Sequence, residues 1–211
     1  MVVQEGRPFH LSQGEYFFHQ GEPATHFYIL GEGEAKLTQI SPDGQQTIVD
    51  YFGPGNGLGI IVVLSQMEYP LAAEAVEDCV ALQFDREITK KLMLRYPQLA
   101  LNGLDMIAVQ FSKLQSRLQQ LSTQKVEQRV ARTLLQLVRQ FGSKVDEGVL
   151  IDMPLSRQDL AEMTGTNLYQ VSRILSKWEQ TGIVATGRKR VILCEPHELV
   201  MIAEDLPSAK K

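Results

Sequence analysis

Leu104, Ile107, Phe111, Leu114, Leu118 and Leu121 follow one another at spacings of 3, 4, 3, 4 and 3 residues. That is an apolar seam kept in heptad register for nearly three heptads, and it demands a long helix. Between these positions lie Gln110, Ser112, Lys113, Gln115, Ser116, Arg117, Gln119 and Gln120. The predicted helix is therefore polar except along one narrow stripe. A helix buried in a globule normally carries a wider apolar face. Packing against the chain's own remaining structure is one reading; a two-stranded coiled coil between identical chains is the preferred one.

The segments on either side have different characters. Up to about residue 85, short apolar runs alternate with turn signals: Gly14-Glu15, Gly21-Glu22, Gly31-Glu32-Gly33, Pro42-Asp43-Gly44 and Gly53-Pro54-Gly55. "EAKLTQI" and "QQTIVDYF" flank the Pro42-Asp43-Gly44 turn as a hairpin, and many short strands so spaced predict a β-sandwich or barrel. "DREITKKLMLRYPQLA" then reads as a short helix leading to Pro97. After the seam, Ser122-Thr123 is expected to break and re-cap the helix. The next helix turns Val126, Val130, Leu134, Leu137 and Phe141 inward and ends at Gly142. "GSKVDEG" is expected to be a turn and "VLIDMPL" a strand.

"LSRQDLAEMTGTNLYQVSRIL" (155–175) carries two helices around one glycine. Ser156 and Asp159 have capping-box spacing, Gly165 stops the first helix, and Thr166 is expected to cap the second, which runs to Gln180. Leu160, Ala161, Val171, Ile174, Leu175 and Trp178 face inward, the pattern of a helix-turn-helix. Asn167, Leu168, Tyr169, Ser172, Arg173 and Ser176 remain on the outer face of the second helix, the face that enters the major groove in such units. Arg173 is suited to bidentate hydrogen bonding with guanine. Ser172 and Asn167 reach phosphates or bases, and Leu168 and Tyr169 offer apolar contact. "GIVATGRKRVIL" (182–193) reads as two strands with Arg188, Lys189 and Arg190 at the tip, a wing positioned for phosphate contact. A solvated basic turn is the plainer reading of such a run.

Charge is distributed accordingly. The chain is net −4, but residues 1–124 hold 8 basic and 14 acidic side chains, residues 125–193 hold 11 and 7, and the last 18 hold 2 and 4. The half with the paired helices is basic, as attraction to a polyanion requires. No apolar run is long enough for a membrane span, and "MVVQEGRPFH" lacks the features of a signal peptide; no membrane partner and a cytoplasmic location are the expectations. Cys79 and Cys194 read as buried free thiols; neither belongs to a C-x-x-C pair, and no cysteine quartet could hold an iron–sulfur cluster. The histidines are His10, His19, His26 and His197, and no Gly-x-Ser-x-Gly, His-Glu-x-x-His or P-loop motif occurs. No enzyme is expected. A reading of another class is an effector-independent scaffold with a vestigial helix pair.

Taken in order, these parts resemble the Crp/Fnr family of bacterial transcription regulators over roughly residues 5–200. "QGEPATHFYILGEGEAKL" is similar to the family's glycine-glutamate turn and strand pair, and "FGPGNGLG" stands where its cyclic-nucleotide cassette begins. The heptad helix resembles its dimerisation helix, and "SRQDLAEMTGTNLYQVSRILSKWEQTGIV" its helix-turn-helix. The resemblance implies an α+β chain with a sensor jelly roll (1–97), a dimerisation helix (98–122) and a winged helix-turn-helix domain (123–211). It implies a homodimer on a near-palindromic double-stranded operator, allosteric control from the sensor, and contact with RNA polymerase if the protein activates. Ser172 and Arg173 match the family's recognition-helix Ser-Arg; the glutamate common three residues before that serine is Tyr169 here.

The cassette itself departs from the pattern. Cyclic-nucleotide binding needs a glutamate for the ribose and an arginine with a serine or threonine for the phosphate. Ile60 stands in the glutamate place, and Tyr69 and Pro70 in the others. No arginine lies anywhere from Gly53 to Gln83, so loss of cyclic-nucleotide binding is expected. The remaining pocket is expected to be lined by Leu58, Ile60, Ile61, Val62, Val63, Leu64, Tyr69, Pro70 and Leu71. Three readings stay open: a collapsed core without ligand, a haem that senses a diatomic gas, or another apolar or redox effector. "YPLAAEAVED" resembles the nitric-oxide-responsive branch of the family, and His10, His19, His26 and Cys79 are the candidate axial ligands.

Overall fold

The computed structural model describes residues 5–206. The chain divides into two compact units, residues 1–116 and 117–211, and the boundary falls within the long helix α3 (Pro97–Thr123).

In the first unit, β1 (Arg7–Leu11), β3 (His26–Glu32), β6 (Gly57–Leu58) and β8 (Cys79–Asp85) form one antiparallel sheet in the order β1-β8-β3-β6. β2 (Tyr16–Phe18), β4 (Ala35–Ile40), β5 (Gln46–Phe52) and β7 (Ala72–Ala75) form a second, ordered β2-β7-β4-β5. The β4–β5 hairpin closes through the expected Pro42-Asp43-Gly44 turn, where the Gly44 N–H donates to the Ser41 carbonyl (2.9 Å). Gly33, at φ +80°, admits no side chain: a Cβ there would lie 2.4 Å from the Asp78 carbonyl oxygen.

Side-chain alternation sorts two cores. Tyr28 and Leu30 of β3 and Cys79 and Ala81 of β8 pack with Phe17, Phe18, Ala35, Phe52, Ala73 and Ala75 between the sheets. Phe27 and Ile29 of β3, with Leu82 and Phe84 of β8, face the other way and are covered by residues of three helices. These are α1 (Ile60–Ser65), α2 (Arg86–Arg95) and the start of α3. A strand buried on both faces explains why "FYIL" is an unbroken apolar run. Asp85 caps α2, its Oδ1 accepting from the Ile88 N–H (2.7 Å). Further along α3, the Lys113 ammonium meets the buried Asp50 carboxylate of β5 at 2.9 Å.

The second unit contains the end of α3, α4 (Val126–Phe141), β9 (Gly142–Val145), β10 (Gly148–Ile151), α5 (Arg157–Thr164), α6 (Leu168–Gln180), β11 (Val184–Gly187), β12 (Arg190–Leu193) and α7 (Pro196–Ala203). Its sheet runs β11-β12-β10-β9. Val130, Leu134, Leu137, Leu160, Val171, Leu175 and Trp178 are all essentially inaccessible. Two local expectations are corrected. "GSKV" is strand β9, paired with β10, because Gly142 leaves α4 in an extended conformation that lets the chain fold back as a hairpin. Ser122 and Thr123 do not re-cap the chain: their hydroxyls donate backward to the Leu118 and Gln119 carbonyls, and the turn into α4 is made by Gln124 and Lys125, whose N–H donates to Gln128 Oε1 (2.8 Å).

The seam of α3 is left uncovered in the protomer. Leu104, Phe111, Leu114, Leu118 and Leu121 are each 45–61% exposed, and Ile107 is half-buried.

Candidate nucleic-acid interface

The helix pair is assembled by caps and charge. Ser156 Oγ accepts from the Asp159 N–H (3.0 Å) while Asp159 Oδ2 accepts from the Ser156 N–H (2.7 Å), the expected reciprocal box at the start of α5. Gly165 ends α5 in the left-handed region (φ +62°, ψ +45°). The cap of α6 is Asn167 rather than Thr166: Asn167 Oδ1 accepts from the Gln170 N–H (2.9 Å), and the Thr166 hydroxyl donates to Gln170 Oε1 instead. Asn167 sits in extended backbone one residue nearer the helix, where its short amide reaches the first-turn N–H.

The C-terminal carbonyls of α5 lack helical partners and are met by two arginines. Arg117 of α3 donates to the Met163 carbonyl (2.8 Å). Arg129 of α4 donates to the Thr164 carbonyl (2.9 Å) and to the Gln124 carbonyl (2.8 Å); burial lowers its guanidinium pKa. Positive charge at a helix C-terminus is favourable. At the other end of α6, Glu127 Oε1 accepts from Trp178 Nε1 (3.2 Å) and from Lys177 Nζ (3.0 Å). The helix-turn-helix is thus held to α4 at its turn and at its far end. Spacing gave no sign of Arg117, Arg129 or Glu127, because their partners on α5 and α6 are distant in sequence.

On α6 itself, Val171, Leu175 and Trp178 are buried and Ile174 is only half-buried. Asn167, Leu168, Tyr169 and Arg173 are exposed, Tyr169 to 74%, whereas Thr166, Ser172 and Ser176 are half-buried. Gln170, which the sequence reading did not single out, is exposed among them.

β11 and β12 form the expected wing, with Gly187 opposite Arg190 and Arg188-Lys189 at the turn. Arg188, Lys189 and Arg190 are all exposed. Lys189 adopts φ +52° and its carbonyl accepts from the Leu155 N–H (3.1 Å), tying the tip to the chain that enters α5. Glu179 of α6 accepts from both the N–H and the hydroxyl of Thr186, which hold its carboxyl below the usual carboxylate range. Arg157, Leu168, Lys189 and Arg190 line a shared concavity of about 330 Å3. Arg157 adds a cation the motif reading passed over; its signal was its place just after the Ser156 cap, where the α5 dipole is positive.

The expected effector pocket does not form as one site. Leu58 and Tyr69 are buried between the sheets, Ile60 packs in the separate cluster beneath the helices, Leu71 is half-buried and Pro70 is exposed. Strand alternation and the turn into α1 send neighbouring residues to different layers. The side chain of Ile61, like those of Val62 and Leu64, lies outside the described residues; Val63 is buried beneath the helices. Tyr69 stacks on Phe18 with centroids 3.8 Å apart and donates its hydroxyl to the His26 carbonyl (2.5 Å).

The candidate haem ligands lie in different surroundings. His10 and His19 are exposed, and His26 is half-buried with Nδ1 against the Thr25 hydroxyl (2.8 Å). The buried Cys79 thiol donates to the Glu34 and Glu77 carbonyls, and burial pushes its pKa up to about 11. Cys194 is only partly buried. Among the described residues no group of three or more His, Cys, Asp or Glu is placed to hold a metal ion, and no helix is long and apolar enough to cross a membrane.

Comparison with known proteins bears on both units. The model of the cyclic nucleotide-binding domain matches residues 8–96, and that of the Crp-like helix-turn-helix domain matches residues 128–202. The chain is 30% identical over 191 residues to the cyclic AMP receptor protein of Thermus thermophilus, covering 90% of this chain and 85% of that one. It is 26% identical over 198 residues to the nitrogen fixation regulation protein FixK of Bradyrhizobium diazoefficiens, covering 94% and 82%. The solved structure of FixK2 from Bradyrhizobium japonicum superposes with a TM-score of 0.82 at 25% identity, over 97% of this chain and 98% of that one. A nucleotide-binding-type sandwich, a long helix and a winged helix-turn-helix in this order make the chain a member of the Crp/Fnr family of DNA-binding transcription regulators.

Proposed function

We propose that the protein works as a homodimer joined along the α3 seam, which presents two copies of α6 to adjacent major grooves of a near-palindromic operator. Arg173 donates to guanine, Leu168 and Tyr169 give apolar contact to bases, and Asn167, Ser172, Ser176 and Thr166 serve bases or phosphates. Arg188, Lys189 and Arg190 of the wing, with Arg157, neutralise backbone phosphates. The observation that carries this reading is the exposure of Tyr169, and in part of Leu168, beside Arg173 on the outer face of α6. Large exposed apolar side chains on a helix otherwise fixed at both ends are explained by a partner.

Specific and non-specific binding to duplex DNA, read by fluorescence anisotropy at several salt concentrations, tests it. Arg173→Ala is expected to lose about 1–3 kcal/mol of site preference. Lys189→Ala is expected to weaken all sequences alike and to lower the salt slope by about one. An affinity that does not fall with salt refutes the proposal.

We further propose that the sensor unit does not take cyclic nucleotides. The supporting observations are the missing arginine and an inter-sheet space filled by Phe17, Phe18, Tyr28, Phe52 and Tyr69. A phosphate there would be desolvated without a counter-charge. RNA polymerase is proposed as the protein partner only where the bound regulator activates.

A further inference from the structure

We propose that the sensor unit carries a binding site for a small, uncharged, apolar molecule of about one ring, on the helix-covered face of the β1-β8-β3-β6 sheet and separate from the space between the sheets. An apolar cavity of about 160 Å3 lies there, walled by Phe27, Ile60, Phe84 and Leu92. A closed cavity of about this size with aliphatic and aromatic walls stays dry and accepts a benzene-sized guest; this one is partly open, with Gly55 and Asn102 exposed at its rim, so a guest would enter from solvent and keep one edge wet.

Of the three glycines that border it, Gly57 and Gly103 do so for different reasons. At Gly57 a Cβ would lie 2.8 Å from the Phe27 ring, so close packing requires glycine. At Gly103, buried in the first half of α3, a Cβ would meet nothing nearer than Met93 Cε at 3.8 Å and Ile60 Cδ1 at 3.9 Å. Those are ordinary contacts. Glycine inside a helix is unfavourable relative to alanine, and here neither backbone sign nor crowding asks for it; what it preserves is volume. The remaining border includes Met93 and Met106, unbranched side chains that repack around guests of different shape.

Polarity sets the ligand class. No Asp, Glu, Lys, Arg or His is among the lining residues. The polar ones are Thr89, whose hydroxyl already donates to the Asp85 carbonyl, and Asn102 at the exposed edge, which accepts from Gln98. A charged ligand would lose its hydration without compensation.

The test uses the full chain with 13C-labelled methionine ε-methyls, titrated with benzene and with benzoate. Benzene is expected to shift the Met93 and Met106 signals saturably while those of Met67, Met153, Met163 and Met201 stay in place. Benzoate is expected to bind at least about tenfold more weakly. Gly103→Leu, which fills the cavity, is expected to abolish the shifts; Ile60→Phe fills it from another wall should the first variant fail to fold. No saturable shift at Met93 or Met106, equal binding of benzoate, or shifts unchanged in a folded filled variant each overturns the proposal.

Discussion

Leu114→Glu puts a carboxylate in the middle of the α3 stripe. Leu114 is 54% exposed in the protomer, so the substitution leaves the fold of the single chain largely untouched, and far-ultraviolet circular dichroism is expected to stay the same. In the proposed dimer that exposed half is covered. Fully burying a leucine side chain is worth about 1.5–3 kcal/mol, so the covered half contributes about 1 kcal/mol per chain and about 2 kcal/mol for the symmetric pair. The glutamates add a further cost, because each seam position faces its own copy across a two-fold and two carboxylates then share a desolvated site. A modest allowance of about 2 kcal/mol for that repulsion and desolvation brings the total to about 4 kcal/mol, close to a thousandfold in the dimer dissociation constant. Leu114→Ala removes only the apolar part and is expected to cost about thirtyfold. Sedimentation velocity over a concentration series measures both. A Leu114→Glu protein that sediments as a dimer over the same concentrations as the parent refutes the assignment of the seam.

Arg129→Ala removes two charge-assisted hydrogen bonds to the Thr164 and Gln124 carbonyls; a loss of about 2–4 kcal/mol in urea-monitored stability of the second unit is expected, with a loss below about 0.5 kcal/mol counting against the clamp. Gly103→Ala is expected to raise the stability of the first unit by about 0.5–1 kcal/mol, read as an increased urea midpoint, because a helical glycine is replaced without a clash. Cys79 binds its proton more tightly folded than unfolded, so its contribution to stability is complete below about pH 9 and is lost as the pH rises through about 11. A Cys79→Ala protein is expected to lack that part of the alkaline decline in denaturation midpoint, and an identical pH profile refutes it.

Local patterns in the sequence settled the parts whose physics is local. The helix spacing of Leu104 to Leu121, the Ser156–Asp159 box, the left-handed stop at Gly165 and the β4–β5 turn each depend on residues a few positions apart, and each element formed where the pattern placed it. The exposed Leu168, Tyr169 and Arg173 followed from the same periodicity. Contacts made at a distance were not readable: Arg117 and Arg129 meet the Met163 and Thr164 carbonyls, and Glu127 meets Trp178, each across 35 or more residues. Two local details were also missed, the "GSKV" strand of the β9–β10 hairpin and the cap that Thr166 yielded to Asn167 over one residue of register.

The pocket shows most clearly what tertiary structure alone decides. Residues 58–71 read as one apolar lining, but a strand end, a short helix and a returning strand send Leu58 and Tyr69 into one layer and Ile60 and Val63 into another. Sequence determines that these side chains avoid water, because transfer free energy belongs to each residue. Which of two cores each one joins depends on the direction its Cβ takes from a backbone already fixed by long-range strand pairing, and that is also what leaves open the cavity beside Gly103.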